Sequence, residues 1–247
     1  MMFVGHDMAE RPVFKVVKGV GSPIQVQSVE FQWFPGLSLS QKRKSVESLH
    51  ANAKERLGIE RVLEVSTKSP QRGGVDGTFF SAFNLGFVTQ KGVIVRSVEA
   101  AYQGSKVFEK GGPFPDLFGM SPRDARKDRR LVEHGALRGF RFCGQDWGLT
   151  PGTAFYDWLY INALNKKRDL AIKALDFDAF TDIEFNPERQ RSCQARSIAL
   201  FVSLHRRGKI ALGVPIGKED FLGMVRDLKV YAKEDGDDGF GEQLRLV

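Results

Sequence analysis

A chain of 247 residues, 42% of them hydrophobic and 11% aromatic, is long enough to bury a sizeable core and falls near the upper end of one domain. Its most apolar stretches, such as Ile198-Ala199-Leu200-Phe201-Val202, meet charge well short of the ~20 residues that a membrane helix needs. With no charged-then-apolar leader at the start, the expectation is a soluble cytoplasmic protein that does not engage a membrane. The formal charge of +7 favours an anionic partner, and the basic residues cluster: Lys42-Arg43-Lys44, Arg123 to Arg130, Arg189 with Arg191, and Arg206-Arg207. Such clusters are usually only solvated helix faces; they permit nucleic-acid binding without showing it.

In chain order, Val13 to Val17 and Ile24 to Val29 read as strands separated by Gly19, Gly21 and Pro23. Ser38 and Gln41 have capping-box spacing, and Val46, Leu49, Ala53 and Leu57 then recur at helical spacing until Gly58. Ile59 to Val65 reads as a strand, Thr67 to Gly77 as a loop, and Gly92 to Arg96 as a strand running into a helix. That helix is expected from Ser97, its cap, to about Glu109, which puts Glu99, Gln103 and Lys106 on one stripe. On an arbitrary helix such a stripe usually only solvates a face, but Glu99 directly follows a β-branched strand, a position that is usually buried on entry and can be aimed at a cleft. Gly111 to Pro122 reads as a linker, and Ser121 to Gly135 as a basic surface helix. Gly144 to Gly152 reads as a loop holding Asp146 and Trp147, the latter either a core plug or a stacking surface. Helices are expected over Thr153 to Asn165, Cys193 to Arg207 and Glu219 to Tyr231, and a mobile acidic tail over 233–241.

Several familiar motifs fail on spacing. Gly73-Gly74-Val75-Asp76-Gly77 has neither the phosphate-loop pattern nor the strand–GxGxxG–helix context, and Asp235 to Gly239 lacks the ligand alternation of a calcium loop. Cys143 and Cys193 are isolated, and His6, His50, His134 and His205 have no metal spacing. Neither metal nor cofactor is expected, so any catalysis rests on carboxylates, lysine and hydrogen-bonding groups.

Phe80-Ser81-Ala82-Phe83-Asn84, then a strand, then Ser97-Val98-Glu99-Ala100-Ala101-Tyr102-Gln103-Gly104-Ser105-Lys106 resembles the signature of the NADAR, or YbiA-like, superfamily. The chain keeps that family's Glu, Gln and Lys but has Ala100 where many members have His and Ala82 where they have Asn, with Asn84 as the substitute. Asp146-Trp147 resembles the family's tryptophan-bearing segment, and Asp182-Ile183-Glu184-Phe185 its Asp-x-x-aromatic stretch. The N-terminal eighty residues and Phe155 to Leu164 look more like the subgroup found beside DarT-type DNA ADP-ribosyltransferase toxins. The resemblance implies a mainly helical α+β domain with a small β-sheet. It would occupy 1–247 as one unit, with a family-like core at about 78–207 and an N-terminal extension at about 1–77.

What the subgroup implies about function is an antitoxin enzyme, a monomer, that removes ADP-ribose from the guanine amino group of ADP-ribosylated DNA and releases free ADP-ribose. Breaking that C–N bond through an oxocarbenium-like state needs a carboxylate near the anomeric carbon, and Glu99 fills the role, with Asp182 assisting in proton transfer or holding ribose hydroxyls. Lys106 is either a phosphate contact or a Schiff-base nucleophile. Phe80, Trp147 and Phe185 are candidates for stacking, and Ser81, Asn84, Gln103, Glu184 and Asn186 for hydrogen bonds to the ligand. Arg126, Lys127, Arg129 and Arg130 are candidates for DNA contacts. The rivals are an N-glycosidase for a small ribosylamine metabolite, a non-catalytic ADP-ribose reader, and a module that neutralises the toxin by direct contact.

Overall fold

A computed structural model describes residues 7–36, 38–66, 75–188, 190 and 192–231. His6, Arg189, Arg191, the tail 233–241 and most of the loop 67–77 lie outside the described residues. The fold is α+β. β1 (Met8–Val16) and β2 (Ile24–Gln32) form an antiparallel hairpin in register from Met8 opposite Gln32 to Val16 opposite Ile24. Because successive side chains point to opposite faces, Val13 meets Val46, Leu49 and Ala53 of α1 (Leu39–Leu57), whereas Phe14 and Val16 join the larger core on the other side. The helix starts and stops where the sequence says: the Ser38 hydroxyl accepts from the Gln41 amide at 3.3 Å, and Gly58 closes it in the left-handed conformation.

β3 (Val62–Glu64) runs parallel to β9 (Ala179–Thr181), and β9 pairs antiparallel with β1, giving the strand order β2-β1-β9-β3. The N-terminal hairpin thus shares a sheet with the strand that leads straight into Asp182. A hairpin of β4 (Phe87–Val88) and β5 (Ile94–Val95) feeds α2 (Val98–Gly104). A second sheet, antiparallel, has the order β6 (Lys106–Phe108), β7 (Leu137–Phe142), β8 (Gln145–Trp147). α3 (Pro122–Arg126) and α4 (Arg130–Glu133) lie between β6 and β7. α5 (Ala154–Asn165) is buried almost all round and packs on the equally buried α7 (Gln194–Arg206), while α6 (Arg168–Ala174) and the amphipathic α8 (Lys218–Asp227) cover the outside.

Three expected elements come out differently. The helix expected to reach Glu109 ends at Gly104, and Lys106 stands on a strand. Tertiary contact stops it: the Gly104 carbonyl accepts from the Phe114 amide at 2.7 Å, the Ser105 carbonyl from the Arg141 amide at 2.7 Å, and Lys106 opens the pairing with β7 opposite Phe140. The basic segment 121–135 is two short helices, since Asp128 accepts from both the backbone and the side chain of Arg130 and breaks the run. Asp146-Trp147 is strand rather than loop, paired with Phe140 and Arg141.

A Cβ on Gly104 would sit 2.8 Å from the Phe118 ring and 2.8 Å from the Phe114 carbonyl oxygen, whereas one on Gly223, inside α8, would meet nothing. Gly104→Ala should therefore cost about 1–3 kcal/mol by overpacking, and Gly223→Ala should stabilise by up to about 1 kcal/mol through helix propensity. Urea denaturation midpoints read both, and an unshifted midpoint for Gly104→Ala would show that this packing is loose.

Candidate active site

Glu99 is held from its backbone outward. The Ser97 hydroxyl accepts from the Ala100 amide at 3.0 Å, and the next two free amides of the helix are taken by the preceding bend: Val98 donates to the Leu85 carbonyl at 2.9 Å and Glu99 to the Ala82 carbonyl at 3.0 Å. The carboxylate lies in the first turn, where the helix dipole favours an anion, and the residue is 8% exposed. Its Oε1 accepts from Gln103 Nε2 at 2.9 Å and faces Arg126 Nε at 3.4 Å. Gln103 Oε1 is buried with no partner among the described residues, an acceptor left open beside the carboxylate.

Lys106 reaches the same place from β6, its ammonium 5.3 Å from the centre of the Tyr102 ring. Burial pulls its pKa down to about 8, with Glu99 opposing that shift and Arg126 adding to it. Tyr102 in turn stacks on Phe140 and meets Tyr156 edge-on, both at 5.2 Å. The Tyr156 hydroxyl is pushed well up by burial, by Glu99 and, among smaller influences, by Asp182, so it senses both carboxylates.

Asp182 follows β9 immediately. Its Oδ1 accepts from the Glu184 amide at 3.1 Å and its Oδ2 from Gln194 Nε2 at 2.8 Å. Burial raises its pKa. Beneath it lies Glu64, fully buried, which accepts from the Thr181 hydroxyl at 2.8 Å and the Ile183 amide at 3.1 Å and so brackets Asp182 on both sides. Burial, then the nearby Asp182, raises the Glu64 pKa. His50 closes this chain at 2.8 Å from Thr181 Oγ1, and burial lowers its pKa to about 3, leaving a neutral imidazole.

Gln194, in the first turn of α7, joins the two halves. Its Oε1 accepts from the Ala82 amide at 2.7 Å and the Ser81 hydroxyl at 3.2 Å, and its Nε2 donates to the Val65 carbonyl at 3.1 Å as well as to Asp182. Since Ala82 must donate and Val65 must accept, the orientation of the amide is fixed by its partners. Ala82 is also the residue whose carbonyl holds the Glu99 amide, so one side chain ties Asp182 to the support of Glu99.

The remaining expected residues divide. Phe80, Trp147 and Phe185 are all core side chains: Phe80 is fully buried, Trp147 packs on Phe155 and Trp158 at 5.5 and 5.0 Å, and Phe185 stands edge-on to Phe14 at 6.5 Å. Close to Phe80 in the chain, Phe79 is 62% exposed and Phe83 is partly buried. Ser81 is spent on Gln194. Asn84 is exposed and donates to the Thr78 carbonyl at 2.9 Å, Glu184 pairs with Lys42 at 2.7 Å, and Asn186 closes a local turn onto the Glu188 amide at 2.9 Å. Within the basic cluster, Arg126 faces Glu99 while its side chain stays 36% exposed, and its guanidinium lies 5.7 Å from the Phe83 ring centre. Arg130 is committed to Asp116 and Asp128 at 2.6 and 2.8 Å, Arg129 pairs with Glu133 while staying 88% exposed, and Lys127 is exposed.

Gln194, Glu64 and the Tyr102–Tyr156 pair were missed by sequence reasoning. Glu64 left a signal, an acid inside the apolar run Val62-Leu63-Glu64-Val65; Gln194 left none that differs from an ordinary helix start.

A profile of the DarT1-associated NADAR antitoxins matches residues 9–235, nearly the whole chain. The chain belongs to that family. The match takes in the N-terminal hairpin as well as the segment from Phe80 to Leu204 that carries the sequence resemblance to NADAR proteins. No curated protein matches the chain.

Gln194→Glu should destabilise by about 1–3 kcal/mol near neutral pH, because a carboxylate oxygen would then face two acceptors with no hydrogen between them. The introduced acid gains its proton more readily when folded, so the deficit should shrink as pH falls and grow as it rises. A pH series of urea midpoints, with Gln194→Ala alongside, reads the effect; a deficit independent of pH would remove Gln194 from the Asp182 contact.

Proposed function

We propose that this NADAR protein is a cytoplasmic hydrolase that cleaves the N-glycosidic bond between ADP-ribose and the guanine amino group of DNA, reversing the action of its DarT-type toxin. The observation that carries the reading is the meeting of Gln103 and Arg126 on one oxygen of Glu99, with Lys106 near enough to feel the charge of both Glu99 and Arg126 and a second buried carboxylate, Asp182, tied to the support of Glu99 through Gln194. This set suits an anomeric carbon that becomes cationic as its C–N bond breaks. Glu99 lies beside that carbon as the negative charge that stabilises it. Asp182, kept partly protonated by burial, supplies or receives a proton on the nitrogen side.

Two routes share these parts. In the first, Glu99 takes a proton from water, the hydroxyl joins the anomeric carbon, and the guanine amine leaves with the proton that Asp182 provides. In the second, the ring-opened sugar is an imine of the guanine amine. The neutral Lys106 amine adds to it, guanine leaves as the free amine, and water then hydrolyses the lysine imine to return Lys106 and release ADP-ribose. The lowered pKa of Lys106 favours the second route, since a lysine kept only to bind phosphate gains nothing from a lost proton. The net charge of +7 and the exposed Lys127 and Arg129 suit a DNA substrate better than a small metabolite.

Glu99→Gln should lower the release of ADP-ribose from modified DNA by roughly a hundredfold or more while leaving ADP-ribose affinity within a few-fold; turnover close to wild type would remove Glu99 from the chemistry. Cyanoborohydride added during turnover should fix an ADP-ribose-sized adduct that peptide mapping places on Lys106, with a yield that rises as pH passes through about 8. An active Lys106→Arg enzyme that yields no adduct would leave water as the nucleophile.

A further inference from the structure

Arg126 is held far more loosely than Arg130 of the same cluster. Arg130 donates four hydrogen bonds to two carboxylates, at 2.6 to 3.2 Å. Arg126 has one long contact, Nε to Glu99 Oε1 at 3.4 Å, and the face of Phe83 at 5.7 Å. Its two terminal nitrogens have no acceptor among the described residues, and its side chain is 36% exposed over a carboxylate that is nearly buried. A half-exposed single contact of this length is weak, whereas a phosphate takes two guanidinium hydrogens at once and binds more strongly. The aromatic face beneath the guanidinium gives it a surface on which to turn without losing all contact.

We propose that Arg126 is a ligand-operated clamp, which pairs with Glu99 in the free protein and passes to the diphosphate of the bound nucleotide sugar, freeing the Glu99 carboxylate for the anomeric carbon. The consequence for catalysis rests on the hydrolase reading of Glu99; the phosphate contact does not. The clamp makes Glu99 fully available only when a phosphate-bearing ligand is in place, so a ribosylamine without phosphates meets a carboxylate still paired with arginine. It also gives Arg126 a different job from the exposed Lys127, which has no carboxylate to release.

The test is calorimetric titration of the full chain with ADP-ribose, inorganic pyrophosphate and an unmodified single-stranded oligonucleotide. The proteins are wild type, Arg126→Gln, Arg126→Lys, Glu99→Gln, the double variant Glu99→Gln with Arg126→Gln, and the exposed control Arg168→Gln, each checked for an unchanged melting temperature. Arg126→Gln should weaken ADP-ribose and pyrophosphate at least tenfold, Arg126→Lys should weaken them less, and Arg168→Gln should change neither. Oligonucleotide affinity should move less than twofold with Arg126→Gln. Glu99→Gln should tighten ADP-ribose two- to fivefold by removing the competitor for the guanidinium, and that gain should vanish when Arg126 is already Gln, a coupling that a merely structural arginine would not produce. Unchanged ADP-ribose affinity in Arg126→Gln, a loss confined to the oligonucleotide, an additive double variant, or a wild type that binds neither ADP-ribose nor pyrophosphate would each overturn the clamp. Intact binding and coupling without turnover of modified DNA would overturn the hydrolase reading alone.

Discussion

The amide of Gln194 is the contact on which the geometry of the site depends. Three separate stretches of chain end at it: the Val65 carbonyl after β3, the Ser81-Ala82 bend, and Asp182 after β9. Each side-chain hydrogen bond contributes only about 1 kcal/mol net, but a buried polar group left without its partner costs more than the bond was worth. The spacing of the two carboxylates is therefore fixed by a residue that bears no charge and need not touch the ligand. The large sheet supports the same point from below, since Glu64 holds the residues on either side of Asp182 and is itself anchored through Thr181 to His50 of α1. In this way the N-terminal hairpin and α1 take part in positioning the site.

The second constraint is the abrupt change from helix to strand between Glu99 and Lys106. Had the helix continued, Glu99 and Lys106 would share a stripe about two turns apart. Ending it at Gly104 instead lets Lys106 leave along β6 while its ammonium returns over Tyr102, a residue of the same helix. The aromatic layer of Tyr102, Phe140, Phe155 and Tyr156 is the low-dielectric wall that draws the lysine toward its neutral form. Glu99 and Arg126 act on it in opposite directions, so a ligand that moves Arg126 also changes the charge Lys106 feels.

Much of this was legible in the sequence wherever local signals and burial agree. Ser38 and Gly58 mark the ends of α1, the apolar content of α5 and α7 marks the packed centre, and Glu99, Gln103 and Lys106 stand out through the resemblance to NADAR proteins, whereas the helical stripe expected to join them stops at Gly104. What could not be read was set at long range. Nothing near Gly104 shows that Phe114 and Phe118 will press against it, and Phe79 and Phe80 look alike until the short turn sends one outward and buries the other. Periodicity put Arg126 among surface charges, where it lies, but only the packing of α3 on α2 shows that it also faces Glu99.

The activity proposed for this constellation is the detachment of ADP-ribose from a base amine. The most direct measurement is to incubate the protein with single-stranded oligonucleotides ADP-ribosylated on guanine or on thymine and to follow free ADP-ribose and the restored oligonucleotide by mass spectrometry. The exocyclic amine of guanine can leave through the imine route that Lys106 serves, whereas the ring nitrogen of thymine cannot form that imine. The account predicts release from the guanine-linked substrate, with the DNA returned unmodified, and little or none from the thymine-linked one. Equal release from both, or binding of the guanine-linked oligonucleotide with no release at all, would contradict it.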